Sequence, residues 1–154
     1  MSANSVNRET VRDALTTLLT TALVGTSKPA DQVFGYLVSD WAVQSVAVVL
    51  VTSAGIGRER TNPGQQTFDV WVYLDVWVYV LYNDGGAWTE SNGEDRRDAI
   101  EKAIADVVQD NVAKEGVWDD LQYDGRTIAT DVEIEGGTTY FVERIPLRAH
   151  VFQG

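Results

Sequence analysis

Cysteine is missing altogether from the 154 residues, which excludes a disulfide framework, a thiol nucleophile and thiolate-rich zinc sites. Histidine occurs once, as His150 four residues from the last position, so no histidine cluster of the common metal-binding type can be assembled. Basic residues are scarce: 12 Lys and Arg stand against 23 Asp and Glu, a formal net charge of -11. Such a chain repels phosphate backbones instead of neutralising them, because nucleic-acid binding needs clustered cations. The two tight basic spots, Arg58 with Arg60 and Arg96 with Arg97, sit beside Glu59, Glu94 and Asp95 and read as solvated positions. No apolar run reaches the roughly 18 residues of a membrane span, and Met1 to Arg12 lacks the charged-then-apolar layout of a secretory leader. These absences predict a soluble protein with no cofactor, no metal and no membrane partner. The length fits one domain over residues 1–154, able to bury about 70% of its unfolded surface without staples.

What is present is concentrated in Phe68 to Tyr82, FDVWVYLDVWVYVLY. Even positions carry Phe68, Val70, Val72, Leu74, Val76, Val78, Val80 and Tyr82; odd positions carry Asp69, Trp71, Tyr73, Asp75, Trp77, Tyr79 and Leu81. Successive strand side chains point to opposite faces, so this segment predicts a strand with one aliphatic core face and one face of amphipathic rings and acids. Trp and Tyr interspersed with Asp suit a surface that is wet in the monomer and covered in an assembly. A competing arrangement places the rings beneath the first helix, and Asp69 and Asp75 weigh against it because burying unpartnered carboxylates is costly.

Elsewhere the pattern alternates between helix and strand. Val11, Leu15, Leu18, Leu19 and Ala22 form a helical stripe, with Asn7 as N-cap and Gly25 as stop. A short strand is expected near Val33 to Leu37, and a buried one over Val46 to Thr52. Ser53 to Thr67, rich in glycine and carrying Pro63, reads as a long loop. An Asn83-Asp84-Gly85-Gly86 turn follows the long strand. Ser91 with Glu94 makes a capping box for a second helix whose apolar stripe is Ala99, Ile100, Ala103, Ile104, Val107 and Val108. Trp118 begins a connection into Tyr123. Thr127 to Glu135 and Thr138 to Phe152 are the last strands, joined at Gly136-Gly137. In the final one Phe141, Glu143, Ile145, Leu147, Ala149 and Val151 share a face, while Tyr140, Arg144, Arg148 and His150 share the other. Pro146, having no N–H, predicts an edge or a bulge. The fold class is α+β within the α/β group, a mainly antiparallel mixed sheet with two helices packed on it.

Catalytic constellations are thin. Asp69 and Asp75 lie six residues apart on one strand face, about 20 Å at the strand rise, against the roughly 5 to 10 Å that glycoside hydrolysis uses. Asp119, Asp120 and Asp124 lack the alternating ligands and closing Glu of an EF-hand loop. The sequence therefore predicts an assembly protein and not an enzyme.

Several phrases in this order carry a resemblance: VTSAGIGRER at Val51 to Arg60, YVLY at Tyr79 to Tyr82, WTESNGEDRRDAIEKAIADVV at Trp88 to Val108, and YFVERIPLRAHV at Tyr140 to Val151. Over roughly residues 5–152 the chain resembles the tail-terminator proteins of long-tailed bacteriophages, also described as minor tail or tail-to-head joining proteins. The resemblance implies a homo-oligomeric ring, a hexamer in the family, that caps the tail tube, stops its polymerisation and presents a surface to head-completion or connector proteins. DNA would pass through its lumen without specific binding. It implies location in the virion tail or neck after assembly in the host cytoplasm. Carried onto this chain, the candidate subunit and tube contacts are Arg58, Glu59, Arg60, Asp69, Trp71, Tyr73, Asp75, Trp77, Arg144 and Arg148. Two other readings compete: a head-completion or neck protein on the other side of the same joint, and a small-ligand domain with a pocket between helix and sheet lined by Trp and Tyr.

Overall fold

The computed structural model describes residues 5–37, 47–64, 67–82, 90–135 and 138–153. In chain order the elements are α1 (Arg8–Leu23), β1 (Gln32–Phe34), β2 (Ala47–Arg60), β3 (Phe68–Leu81), α2 (Glu90–Asp110), β4 (Asp120–Tyr123), β5 (Ile128–Glu135) and β6 (Thr138–Gln153). The six strands form one sheet in the order β1-β2-β3-β6-β4, with β5 also paired to β6. Among the described strands only the β1–β2 pair is parallel. The expected turns at residues 83–86 and 136–137, and the start of a strand at Val46, lie outside the described residues.

Helix α1 forms as its stripe predicts. The Asn7 carboxamide oxygen accepts from the Glu9 N–H at 2.9 Å, satisfying one of the free donors of the first turn. The Thr16, Thr17 and Thr20 hydroxyls donate to the carbonyls of Arg12, Asp13 and Thr16, a local competition that makes the helix depend on packing. That packing comes from Val11, Leu15, Leu19 and Leu23, all buried against the sheet. Helix α2 starts at Glu90, ahead of the expected cap at Ser91. Its buried side contains Ile100, Ile104, Val107 and Val108, but Ala99 is exposed and Arg97 is buried in its place. Arg97 falls at the i−3 position from Ile100, so geometry puts it on the stripe whatever its charge.

Both helices cover the same face of the sheet. Val70, Val72, Leu74, Val76, Val78 and Val80 of β3 are completely buried there, as are Val49 and Val51 of β2 and Ile145, Leu147 and Ala149 of β6. The rings of β3 are therefore on the opposite side, which removes the arrangement that set them beneath α1.

Three expectations are corrected. Ser53 to Thr67 is mostly strand: β2 continues to Arg60 and pairs with β3 along its whole length, leaving a short turn between them. The register shift between Ser53 and Gly55 is a bulge, and Gly55 takes it up at φ +146°, a conformation that favours glycine. Gly55 and Gly57 lie opposite Tyr73 and Trp71, so the strand's own apolar signal is supplied by its neighbour's rings. The connection from Trp118 contains a strand, β4, and Trp118 itself is buried. Pro146 is neither at an edge nor in a bulge. It lies inside β6, opposite Asp75 of β3, where the other flank passes from β4, paired to residues 147–150, to β5, paired to 138–144. The Pro146 carbonyl accepts from the Asp124 N–H at 2.8 Å, so its backbone polar side faces that gap, where no ladder donor is required.

Between α2 and this part of the sheet the Tyr123 hydroxyl is buried with no hydrogen-bond partner among the described residues. Burial first, then the carboxylates of Glu101, Glu143 and Asp106, push its phenol from 10.0 up to about 12. The unfolded chain releases that proton near its ordinary value while the folded chain keeps it, so stability is intact below pH 10 and falls as pH rises towards 12. Tyr123→Phe is expected to flatten that alkaline fall in denaturant melts, with little change at neutral pH because no bond is lost.

Candidate functional site: the uncovered sheet face

The face turned away from the helices is built in rows, because register fixes which residues stand side by side. One row reads Phe34, Leu50, Trp77, Arg144 and Ile128; the next towards the β2–β3 turn centres on Thr52, Asp75 and Pro146. Beyond these come Gly55, Tyr73, Arg148 and Gln122, then Gly57, Trp71, His150 and Asp120, and last Glu59, Asp69 and Phe152. The face is thus graded. Its Phe34 end is apolar, with Val48, Leu50, Tyr79, Tyr140 and Val142 buried in a second cluster and Trp77 packed against it. Its turn end is aromatic and charged.

Three carboxylates at the charged end, Asp69, Asp75 and Asp120, have a cation or a donor beside them. Arg144 Nε lies 3.1 Å from Asp75 Oδ1, off the hydrogen-bonding line, so this is an ion pair without an aligned bond. Asp69 Oδ1 contacts His150 Nε2. The His150 ring is 4.6 Å from the Trp71 ring, and the Arg148 guanidinium carbon stands 4.7 Å over the same indole, within cation–π range. Arg148 also donates to Gln122 Oε1 at 3.1 Å, and Gln122 donates to Asp120 Oδ2 at 2.7 Å. This chain of contacts crosses β3, β6 and β4 and holds the side chains around Trp71 in place.

Eight of the ten candidate residues share this face: Glu59, Asp69, Trp71, Tyr73, Asp75, Trp77, Arg144 and Arg148, with Glu59 exposed and the other seven half-buried. Arg58 and Arg60 do not. They fall on the helix side, where Arg58 donates to the Val6 carbonyl at 2.8 Å and Arg60 lies 4.7 Å over the Phe68 ring. The Arg58-Glu59-Arg60 cluster is therefore split across the sheet, as period 2 requires. His150, Gln122, Asp120, Ile128 and Phe152 also stand on this face without belonging to the ten candidates. His150 shares the parity of Arg144 and Arg148, and that was the available signal; Asp120 and Gln122 sit on a four-residue strand with no alternation to reveal it.

The net negative charge is concentrated elsewhere. Helix α2 carries seven acids, Glu90, Glu94, Asp95, Asp98, Glu101, Asp106 and Asp110, against Arg96, Arg97 and Lys102. A concavity of about 640 Å³ between residues 27–29 and this helix is lined by Pro29, Ala99, Ala103 and charged side chains, with no aromatic ring. Among the described residues no group of three or more His, Asp and Glu is placed to hold a metal ion, and no helix is long and apolar enough to cross a membrane. No protein-family model matches the chain, and no curated protein matches it either.

Proposed function

We propose that this chain is a structural virion protein, a tail terminator that assembles as a ring, caps the tail tube and joins it to the head-side connector. The observation that carries the reading is the sheet face just described. It is spanned by large amphipathic rings with paired charges between them and lies opposite both helices, a composition suited to a surface covered by other copies or by tail components. The order of sequence phrases shared with tail terminators supports the same reading. The acid excess on α2 suits a protein that DNA must slide past, since carboxylates repel phosphates.

Trp71 is the expected anchor, because hot spots are enriched in Trp and sit where neighbouring contacts exclude water. Trp71→Ala is expected to weaken subunit or tube association by about 2 kcal/mol, roughly thirtyfold. Sedimentation velocity and negative-stain images of the protein alone and with tail tubes measure this, with thermal melts to confirm that the fold survives. Arg58→Glu separates the two sides of the sheet: contact through the ring face alone predicts unchanged association, contact through the β2 end predicts loss. A protein that remains monomeric and never caps a tube rules the terminator reading out. Capture by portal-side rings in place of tubes would identify a neck protein.

A further inference from the structure

The only histidine of the chain stands beside Trp71 at the charged end of the proposed docking face. We propose that His150 is a proton-operated clamp on Trp71, so that adding a proton to its imidazole tightens association through the ring face. The inference rests on the reading of this face as an assembly surface, while the clamp itself is a property of the single chain.

Three observations support it. The His150 side chain is 23% exposed, so protons reach it, and its Nε2 contacts the Asp69 carboxylate. Its ring lies 4.6 Å from Trp71, so a change of charge on the imidazole acts directly on the indole. The other charged groups around it are mainly acidic. Asp69 comes from β3, Glu59 stands beside Asp69 on β2, Asp120 comes from β4 opposite His150, and Asp119 immediately precedes that strand. Arg148, two positions away on the same strand, is the one cation among them and already lies over Trp71. Asp119 accepts from the Phe152 N–H and Asp120 from Gln122, and among the described residues neither forms an ion pair.

With neutral imidazole this corner presents four carboxylates and one guanidinium. Protonation adds a second cation, turns the Asp69 contact into an ion pair and places a positive ring against the indole. Copies that each carry a formal charge of -11 repel less at this corner when it is protonated, and the indole is held more firmly for docking. By linkage, association that takes up one proton per contact strengthens by at most about tenfold per pH unit.

The test uses the full chain at two levels. Trp71 emission is followed from pH 8 to pH 5 in the native chain, in His150→Gln and in Trp71→Phe, the last identifying the signal of this one indole. A protonated imidazole against an indole quenches it, so the native chain is expected to show a fall in emission at acid pH that neither variant shows. A flat native titration, or the same curve in His150→Gln, overturns the clamp. Sedimentation at the two ends of the range is expected to show tighter association at acid pH in the native chain and none of that gain in His150→Gln. Equal gain in both overturns the coupling to assembly. If no association occurs at any pH, the ring reading fails instead, and the emission titration still decides the clamp.

Discussion

Arg97→Ala is expected to destabilise the protein by about 3 to 5 kcal/mol, the range found when one partner of a buried ion pair is removed. The side chains of Arg97 and Glu143 are each 9% exposed, with Arg97 Nε 3.9 Å from Glu143 Oε1. That separation is too long for a hydrogen bond, so the pair is held by charge in a poorly solvated place. The same guanidinium donates to the Thr130 carbonyl at 3.3 Å and stands 5.0 Å over the Phe141 ring. One side chain thus ties α2 to both β5 and β6. Without it Glu143 stays under the helix with no cation, close enough to Glu101 that burial and the Glu143 charge together already push the Glu101 carboxyl upward. For a domain of this size the loss corresponds to a fall in Tm of roughly 6 to 20 °C. Replacing both partners, Arg97→Met with Glu143→Leu, should recover much of it, because two apolar groups leave nothing unpaired. A double mutant as unstable as Arg97→Ala would show that the cost lies in packing on Phe141 and not in charge.

The second large effect is expected at Gly93. In an open helix Gly→Ala stabilises by up to about 1 kcal/mol. Here a Cβ would lie 2.8 Å from Phe141 Cε2 and 2.9 Å from the Leu81 carbonyl oxygen. The ring could rotate, but a backbone carbonyl at the end of β3 cannot yield without disturbing the strand. Steric conflict therefore wins over propensity, and Gly93→Ala should cost about 1 to 3 kcal/mol, as overpacked cores do. Equilibrium denaturation decides it; a gain in stability would mean that α2 lifts off the sheet at little cost. Both substitutions bear on Phe141, so their effects should not be additive.

The parts of the fold legible in the sequence are those where one physical signal acts alone. Phe68 to Leu81 alternates without interruption and forms the central strand with its valines inside. Asn7 caps α1, and Val11, Leu15 and Leu19 of its expected stripe are buried, while Leu18 and Ala22 are half-buried and Leu23, outside that stripe, completes the buried face. Signals failed where a neighbour supplies what a segment lacks. Gly55 and Gly57 look like loop residues until Tyr73 and Trp71 stand across from them. Arg97 looks like a surface residue until Glu143, 46 positions further along the chain, meets it under the helix. The candidate site divides in the same way. Alternation alone brought Trp71, Tyr73, Trp77 and the two aspartates onto one face, while Asp120 and Gln122 arrive by way of a strand too short to announce itself. No periodicity could show that Arg144 and Arg148 are engaged with groups of their own chain, since that depends on register across strands.

Pro146 gives the sheet a seam. Because β4 and β5 attach to β6 on either side of it, Asp124 to Thr127 leaves one ladder and enters the other without belonging to either. Gly125 there adopts φ +95°, and residues 124–126 are exposed. Extra residues grafted at this point would extend outward as an excursion, leaving the central ladders intact. Descendants of this chain could acquire a new appendage at the seam without redesigning the fold that carries it.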